Sequence, residues 1–135
     1  MPGLPTEYLI LRNVIQSILD RKNELERPVL ANVDMAFIVT STKKPNLDLT
    51  LLDKLISVVT YNDIEPVICF TKLDLLNDVE KENIDNLKKY YEMIGINCVY
   101  NTDTAEIKRL LDNNIVVLAG QTGAGKSSLL NMLDE

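Results

Sequence analysis

Residues 115–133 read IVVLAGQTGAGKSSLLNML. Its first five residues are apolar and mostly β-branched, which predicts a buried strand over 115–119. The next eight residues match the pattern G-x-x-x-x-G-K-[S/T], and residues 126–133 have the apolar spacing of a helix. A strand, a glycine-rich turn and a helix in this order predict a phosphate-binding loop at the helix N-terminus.

This phosphate loop, residues 120–128, has residue types that suit the phosphates of a nucleotide. Its glycines let successive backbone N–H groups turn toward one point, and the N-terminus of the following helix adds positive potential. Lys126 is predicted to reach the β- and γ-phosphates, and the Ser127 hydroxyl to bind Mg²⁺. Ser128 is either one more phosphate contact or a serine that faces solvent. A chance match is expected in about half a percent of chains of this length, and the alternative is a plain glycine-rich turn. The predicted nucleotide contacts here are Gly120, Gln121, Thr122, Gly123, Ala124, Gly125, Lys126, Ser127 and Ser128.

Upstream of this loop, apolar segments alternate with segments of helical periodicity. Strands are predicted over residues 35–40, 66–70 and 98–100, with helices over 49–59, 84–94 and 104–111. Alternation of this kind is typical of an α/β fold with a mostly parallel sheet and helices on both faces. Ligands of such sheets bind at the carboxyl ends of the strands, so the chemistry is expected just after residues 40, 70, 100 and 119.

A base-recognition segment is predicted directly after the strand over 66–70. Thr71, Lys72, Leu73 and Asp74, the base tetrapeptide, match the pattern [N/T]-K-x-D. A carboxylate only accepts hydrogen bonds, so Asp74 suits the two neighbouring N–H groups of guanine, which adenine lacks. Lys72 is expected to lay its stem along the base, and Thr71 to tie the turn to the phosphate loop. The alternative is an aspartate that caps a helix.

The turn at residues 101–103 follows the next predicted strand, where proteins that bind guanine nucleotides often have a segment that covers the base. The match is poor. Either Asn101 covers the base, or the turn is an ordinary one in which Asp103 caps the next helix.

Composition and charge exclude several classes of protein. The net charge of −6 opposes nucleic-acid binding over most of the surface. Apolar runs of membrane-spanning length and a signal peptide are both missing from the sequence, so a cytoplasmic protein without a membrane partner is expected. Cys69 and Cys98 are predicted to be buried reduced thiols, and the sequence has no histidine for a zinc site.

The uneven distribution of charge indicates a boundary near residue 30. Residues 1–30 carry four acidic and four basic side chains, so residues 31–135 carry the whole net charge. We therefore predict two parts, an N-terminal remnant over 1–30 and a partial nucleotide-binding domain over 31–135. Lys43 and Lys44 form either a small patch that contacts RNA or a solvated loop.

The order of the two motifs is the reverse of that in common GTPases, because the base tetrapeptide precedes the phosphate loop. This order indicates a circular permutation, which parallel α/β units tolerate when the chain ends lie in surface loops. The two motifs in this order, with RKNEL at 21–25, Arg27, Pro28 and ANVD at 31–34, are the basis of a resemblance. The sequence resembles the small-ribosomal-subunit-dependent GTPases of the RsgA/YjeQ family. The resemblance runs from about residue 14 to the C-terminus.

This resemblance implies a protein of three parts. They are an N-terminal OB-fold barrel, a circularly permuted GTPase domain that binds GTP or GDP with Mg²⁺, and a zinc-binding C-terminal region. It also implies ribosome-stimulated GTP hydrolysis in late maturation of the small subunit, with rRNA contacts made mainly by the flanking parts. Residues 14–19 resemble the last barrel strand and 21–28 the link, whereas residues 1–12 do not resemble the family.

The family's switch segments and zinc ligands have no counterpart in this sequence, so we assign no catalytic residue. We expect a partial P-loop NTPase fold of four strands, with an exposed sheet edge and low stability. Two other functions stay open: a non-catalytic ribosome- or RNA-binding adaptor, and an ATP-binding P-loop protein.

Overall fold

The chain folds as a mixed sheet with helices on both faces. The computed structural model describes residues 6–12, 15–19, 33–112, 114–121 and 123–133. Its elements are β1 (Thr6–Arg12), β2 (Ile15–Leu19), β3 (Met35–Ser41), α1 (Leu49–Tyr61), β4 (Glu65–Thr71), α2 (Asp78–Met93), β5 (Asn97–Tyr100), α3 (Thr104–Leu111), β6 (Ile115–Gln121) and α4 (Lys126–Leu133).

Four of the strands form the parallel sheet that the sequence predicts. The order across the whole sheet is β2-β1-β6-β3-β4-β5, and β6, β3, β4 and β5 are parallel to one another. The register pairs Ser41 with Thr71 and Val39 with Gly120. The carboxyl ends of β6, β3 and β4 therefore lie side by side, and the loops that follow them leave the same edge of the sheet.

The two faces of this sheet carry separate hydrophobic cores. Side chains alternate along a strand, so Ala36 and Ile38 pack with α1 and α2 on one face. Phe37 and Val39 point the other way and pack with residues of α3 and α4. The near-continuous apolar strands are thus covered on both faces, as expected for parallel strands joined by helices.

The N-terminal strands belong to the same sheet. β1 pairs antiparallel with β2 and also with β6, from Thr6 opposite Gln121 to Arg12 opposite Ile115. The four expected strands are present as the parallel part of the sheet, and β1 and β2 extend the sheet to six strands beyond β6. The assignment of residues 1–30 to a barrel remnant stays a prediction. The link over 21–28 lies outside the described residues.

Side chains at the helix starts explain where two of the helices begin. Asp48 caps α1, since its Oδ1 accepts from Leu51 N at 3.1 Å. Asn77 and Glu80 form a capping box at the start of α2, with bonds of 2.8 and 2.9 Å. Asp103 occupies the N-cap position of α3, as one of the two alternatives predicts, but its carboxylate accepts from Tyr100 N at 3.2 Å and makes no capping bond to α3.

Both cysteines are free and buried, as the sequence predicts. Cys69 is fully buried in β4, and Cys98 is 6% exposed in β5. Burial removes the thiolate from water and raises the pKa of each thiol to about 12.

The native protein should therefore resist thiol reagents. At pH 8, Ellman's reagent is expected to label neither cysteine of the folded chain on the timescale of minutes, because the reactive thiolate forms only as the pH approaches 12. In 6 M urea both should react within seconds. Rapid labelling of either thiol without denaturant would contradict the structure.

Candidate functional site

Three loops meet at the carboxyl edge of the parallel strands. The loop of residues 41–45 begins at the end of β3, the base tetrapeptide overlaps the end of β4, and the phosphate loop follows β6. Both motifs that the sequence singles out are therefore neighbours on one edge, although about 50 residues separate them in the chain.

The phosphate loop has the backbone geometry of an anion-binding turn. Gly123 and Gly125 have φ angles of +86° and +113°, which side chains of L-residues disfavour. Ala124 N donates to Gln121 O at 3.0 Å, and α4 begins one residue after Gly125. The loop thus brings backbone N–H groups to the positive end of a helix. Thr122 lies outside the described residues.

Lys126 is a buried cation at the base of this loop. Its side chain is 5% exposed, and Nζ donates to Gly120 O at 2.9 Å and to Gln121 O at 3.1 Å. Ser127 and Ser128 follow it in the first turn of α4 and are exposed. The ammonium is therefore held by carbonyl groups at the start of the phosphate loop.

Gly120 allows β6 and β3 to approach each other where the phosphate loop begins. A Cβ added there would lie 2.4 Å from the backbone oxygen of Val39, and neither strand can move without breaking the ladder. Gly120→Ala should lower the free energy of unfolding by about 3 kcal/mol in a urea titration.

Gly95→Ala is the matched control for this substitution. Gly95 also has a positive φ, +92°, but a Cβ there meets nothing within 4 Å. Its cost should stay near about 1 kcal/mol, the strain of the left-handed backbone alone. Equal losses for the two variants would contradict the close approach at Gly120.

The base tetrapeptide is joined to the phosphate loop by two side chains. Thr71 is 3% exposed, and its Oγ1 donates to Ala124 O at 2.5 Å. Lys72 adopts a left-handed conformation with φ +62°, and its Nζ donates to Gly123 O at 2.7 Å and to Lys44 O. The structure thus brings together the two motifs through direct contacts.

Asp74 lies in a single 3₁₀ turn, Leu73–Leu75, and its side chain is exposed. The alternative that Asp74 caps the next helix is wrong, because Asn77 caps α2. Asp74 lies two residues after Lys72, whose side chain bonds to the phosphate loop.

Two residues that flank β3, Asp34 and Thr42, make contacts that the sequence does not predict. The Asp34 carboxylate accepts from Ile115 N at 2.8 Å and ties the start of β6 to the start of β3. Thr42 is 8% exposed, and its Oγ1 donates to Thr71 O at 2.7 Å. Polar residues directly flanking the buried strand β3 were the available signal, but their distant acceptors are set by the tertiary fold.

The remaining sequence candidates lie at the margin of the site. Asn101 N donates to Phe70 O at 2.9 Å, which places the 101–103 turn beside the end of β4. Lys43 forms an ion pair with Glu80 at 3.1 Å, so its ammonium is bound to α2 in this conformation.

The site offers one side chain that could bind Mg²⁺ together with the phosphates of a nucleotide. The Ser127 hydroxyl is a hard oxygen at the phosphate loop, and Mg²⁺ commonly takes one or two protein oxygens and completes its shell with phosphates and water. Over the described ranges, the chain has no group of three or more His, Cys, Asp or Glu side chains placed to hold a metal ion.

A family model and curated relatives match most of the chain. The model described as RsgA GTPase matches residues 16–135. A protein of Enterococcus faecalis named small ribosomal subunit biogenesis GTPase RsgA is 41% identical over 122 residues, and one of the same name from Limosilactobacillus fermentum is 44% identical over 122 residues. These alignments cover 88% and 86% of this chain and 41% of each relative.

Two solved structures have a similar fold. YjeQ from Thermotoga maritima matches 90% of this chain with a TM-score of 0.69 and 26% identity. YloQ, described as a circularly permuted GTPase, matches 85% with a TM-score of 0.69 and 38% identity. The matched region is 45% of the YjeQ chain and 42% of the YloQ chain, so this chain spans less than half the length of the proteins it resembles.

Proposed function

Because the chain belongs to the RsgA GTPase family, we propose that its phosphate loop and base tetrapeptide form one binding site for GTP or GDP. A single observation carries this proposal: Thr71 and Lys72 bond directly to Ala124 and Gly123 of the phosphate loop. The distance between base and phosphate subsites is thereby fixed before a nucleotide arrives, so little ordering is left to oppose binding.

Each part of the nucleotide has a proposed set of contacts. The phosphates lie against the loop amides of residues 120–128 and against Lys126, which exchanges its carbonyl partners for phosphate oxygens. Ser127 holds Mg²⁺, which neutralises phosphate charge when bound. The guanine N1–H and N2–H₂ groups donate to Asp74, and the stem of Lys72 lies along the ring.

For the whole protein we propose GTP hydrolysis stimulated by the small ribosomal subunit during its late maturation, in the cytoplasm. The names of the relatives support this role, and no catalytic residue of this chain is assigned to it. Within the described ranges, none of the helices combines the length and apolar character that crossing a bilayer requires. The net charge of −6 leaves rRNA contact to local patches or to other parts of the protein.

The ribosomal role is tested by GTP turnover and co-sedimentation with purified small subunits, using the Enterococcus faecalis relative as the positive control. We expect this chain to bind GDP. We expect the relative to bind to the subunits and to hydrolyse GTP faster when they are present. Co-sedimentation of this chain without nucleotide binding would favour the adaptor. Equal binding of ADP and GDP would favour an ATP-binding protein.

A further inference from the structure

The loop of residues 41–45 makes its own contacts with the base tetrapeptide, in addition to those of the phosphate loop. Thr42 N donates to Thr71 O at 3.2 Å, and Thr42 Oγ1 donates to the same oxygen at 2.7 Å. The hydroxyl also lies 3.3 Å from Lys72 O. One buried side chain thus reaches both carbonyl groups that flank Lys72.

The carbonyl groups of Thr71 and Lys72 lie on either side of an unusual backbone conformation at Lys72. Lys72 has φ +62° and ψ +34°, and a non-glycine residue persists there only where its surroundings hold it. A hydroxyl has a single proton, so the 2.7 Å bond to Thr71 O dominates and the 3.3 Å contact to Lys72 O is its weaker branch. Both contacts favour the left-handed conformation, because rotation of Lys72 out of it would carry one carbonyl away from Thr42.

The same loop makes a second contact beyond the tetrapeptide. Lys43 Nζ lies 3.1 Å from both carboxylate oxygens of Glu80, the residue that closes the capping box of α2. The Asn77 backbone N–H, and after it the Lys43 side chain, lower the pKa of Glu80 from its ordinary value. The 41–45 loop therefore contacts the chain on both sides of Asp74, at Thr71 and Lys72 before it and at α2 after it.

We propose that Thr42 is a positioning residue for base selectivity: it holds Lys72 in its left-handed turn and thereby aims the Asp74 carboxylate at guanine. Thr42 is buried beneath the turn and acts through the backbone without touching the base. This inference rests on the proposed binding of guanine nucleotides. It assigns a share of the selectivity to a residue outside both motifs.

The test compares the dissociation constants of GDP and ADP for Thr42→Val, which replaces the hydroxyl by a methyl group. We expect about tenfold weaker GDP binding and a change in ADP binding below about twofold, because phosphate contacts remain and only the base contact is misdirected. Thr42→Ser keeps the donor and should restore selectivity to within about twofold. A merely structural role would weaken both nucleotides equally and would leave their ratio unchanged.

Thr40→Ala is the matched control, since the Thr40 hydroxyl donates to Ile38 O within its own strand at 3.1 Å. Its ratio of GDP to ADP affinity should equal that of the unmodified chain. A valine methyl could clash with the two carbonyls and unfold the protein, so Thr42→Ala, which cannot clash, gives a second measurement with the same expected loss.

The outcomes separate this inference from the proposed function. Equal affinity of the unmodified chain for GDP and ADP would overturn the guanine site itself. Selectivity in the unmodified chain that survives unchanged in both Thr42→Val and Thr42→Ala would overturn the positioning role alone.

Discussion

Lys126→Ala should weaken GDP binding by about 100-fold or more, measured by titration with a fluorescent GDP analogue in Mg²⁺ buffer. The substitution removes the cation that we place on the phosphates, and hydrogen bonds between charged partners in a shielded site are among the strongest available. Lys126 is 5% exposed and already lies in the phosphate loop, held by Gly120 O and Gln121 O. It therefore pays little entropy to reach a ligand there.

The matched control for this variant is Lys108→Ala, which removes the same charge from an exposed position of α3. Its GDP affinity should stay within about twofold of the unmodified chain, because an exposed charge outside the loop is screened by solvent and salt. Urea unfolding of both variants checks that lost binding is not lost folding. GDP binding that is unchanged in Lys126→Ala would contradict the proposed role of the phosphate loop in nucleotide binding.

Asp74→Asn should exchange guanine selectivity for xanthine selectivity. Aspartate accepts from both N1–H and N2–H₂ of guanine, whereas asparagine presents one acceptor and one donor. Xanthine keeps N1–H and carries a carbonyl oxygen at C2, so its pattern matches asparagine. We expect GDP affinity to fall by about 100-fold and xanthosine diphosphate to become the tighter ligand, in a competition titration.

Asp78→Asn is the control for Asp74→Asn. Asp78 is exposed in the first turn of α2, four residues beyond Asp74, and its substitution removes an equal charge from the same region. GDP should remain the preferred ligand of this variant. Equal losses for the two variants would show that net charge, and not the pattern of donors and acceptors, governs binding.

Much of the fold was readable because its signals are local. The buried strands β3, β4 and β6 are nearly continuous apolar runs, and their predicted bounds differ from the observed ones by at most two residues. The phosphate loop needs no distant partner to be recognised, because glycine spacing and a following helix define it. The order of the motifs added the circular permutation, in agreement with the solved structure of YloQ.

The features that sequence reasoning missed depend on contacts between distant segments. β1 pairs with β6 across more than 100 residues of sequence, and no local pattern states which edge an antiparallel strand will join. Asp103 follows the rule for a helix cap, but its carboxylate finds Tyr100 N instead. Thr42 resembles any polar residue after a strand until the fold brings Thr71 O within 2.7 Å of its hydroxyl.

A guanine-nucleotide site built from the base tetrapeptide and the phosphate loop requires a large difference between the affinities for GDP and ADP. Isothermal titration of the unmodified chain with GDP and with ADP, in the same Mg²⁺ buffer, tests it most directly. We expect GDP to bind at least about 1,000-fold more tightly than ADP, because only guanine satisfies Asp74 while the phosphates of both are held alike. Dissociation constants for GDP and ADP that agree within about threefold would contradict it.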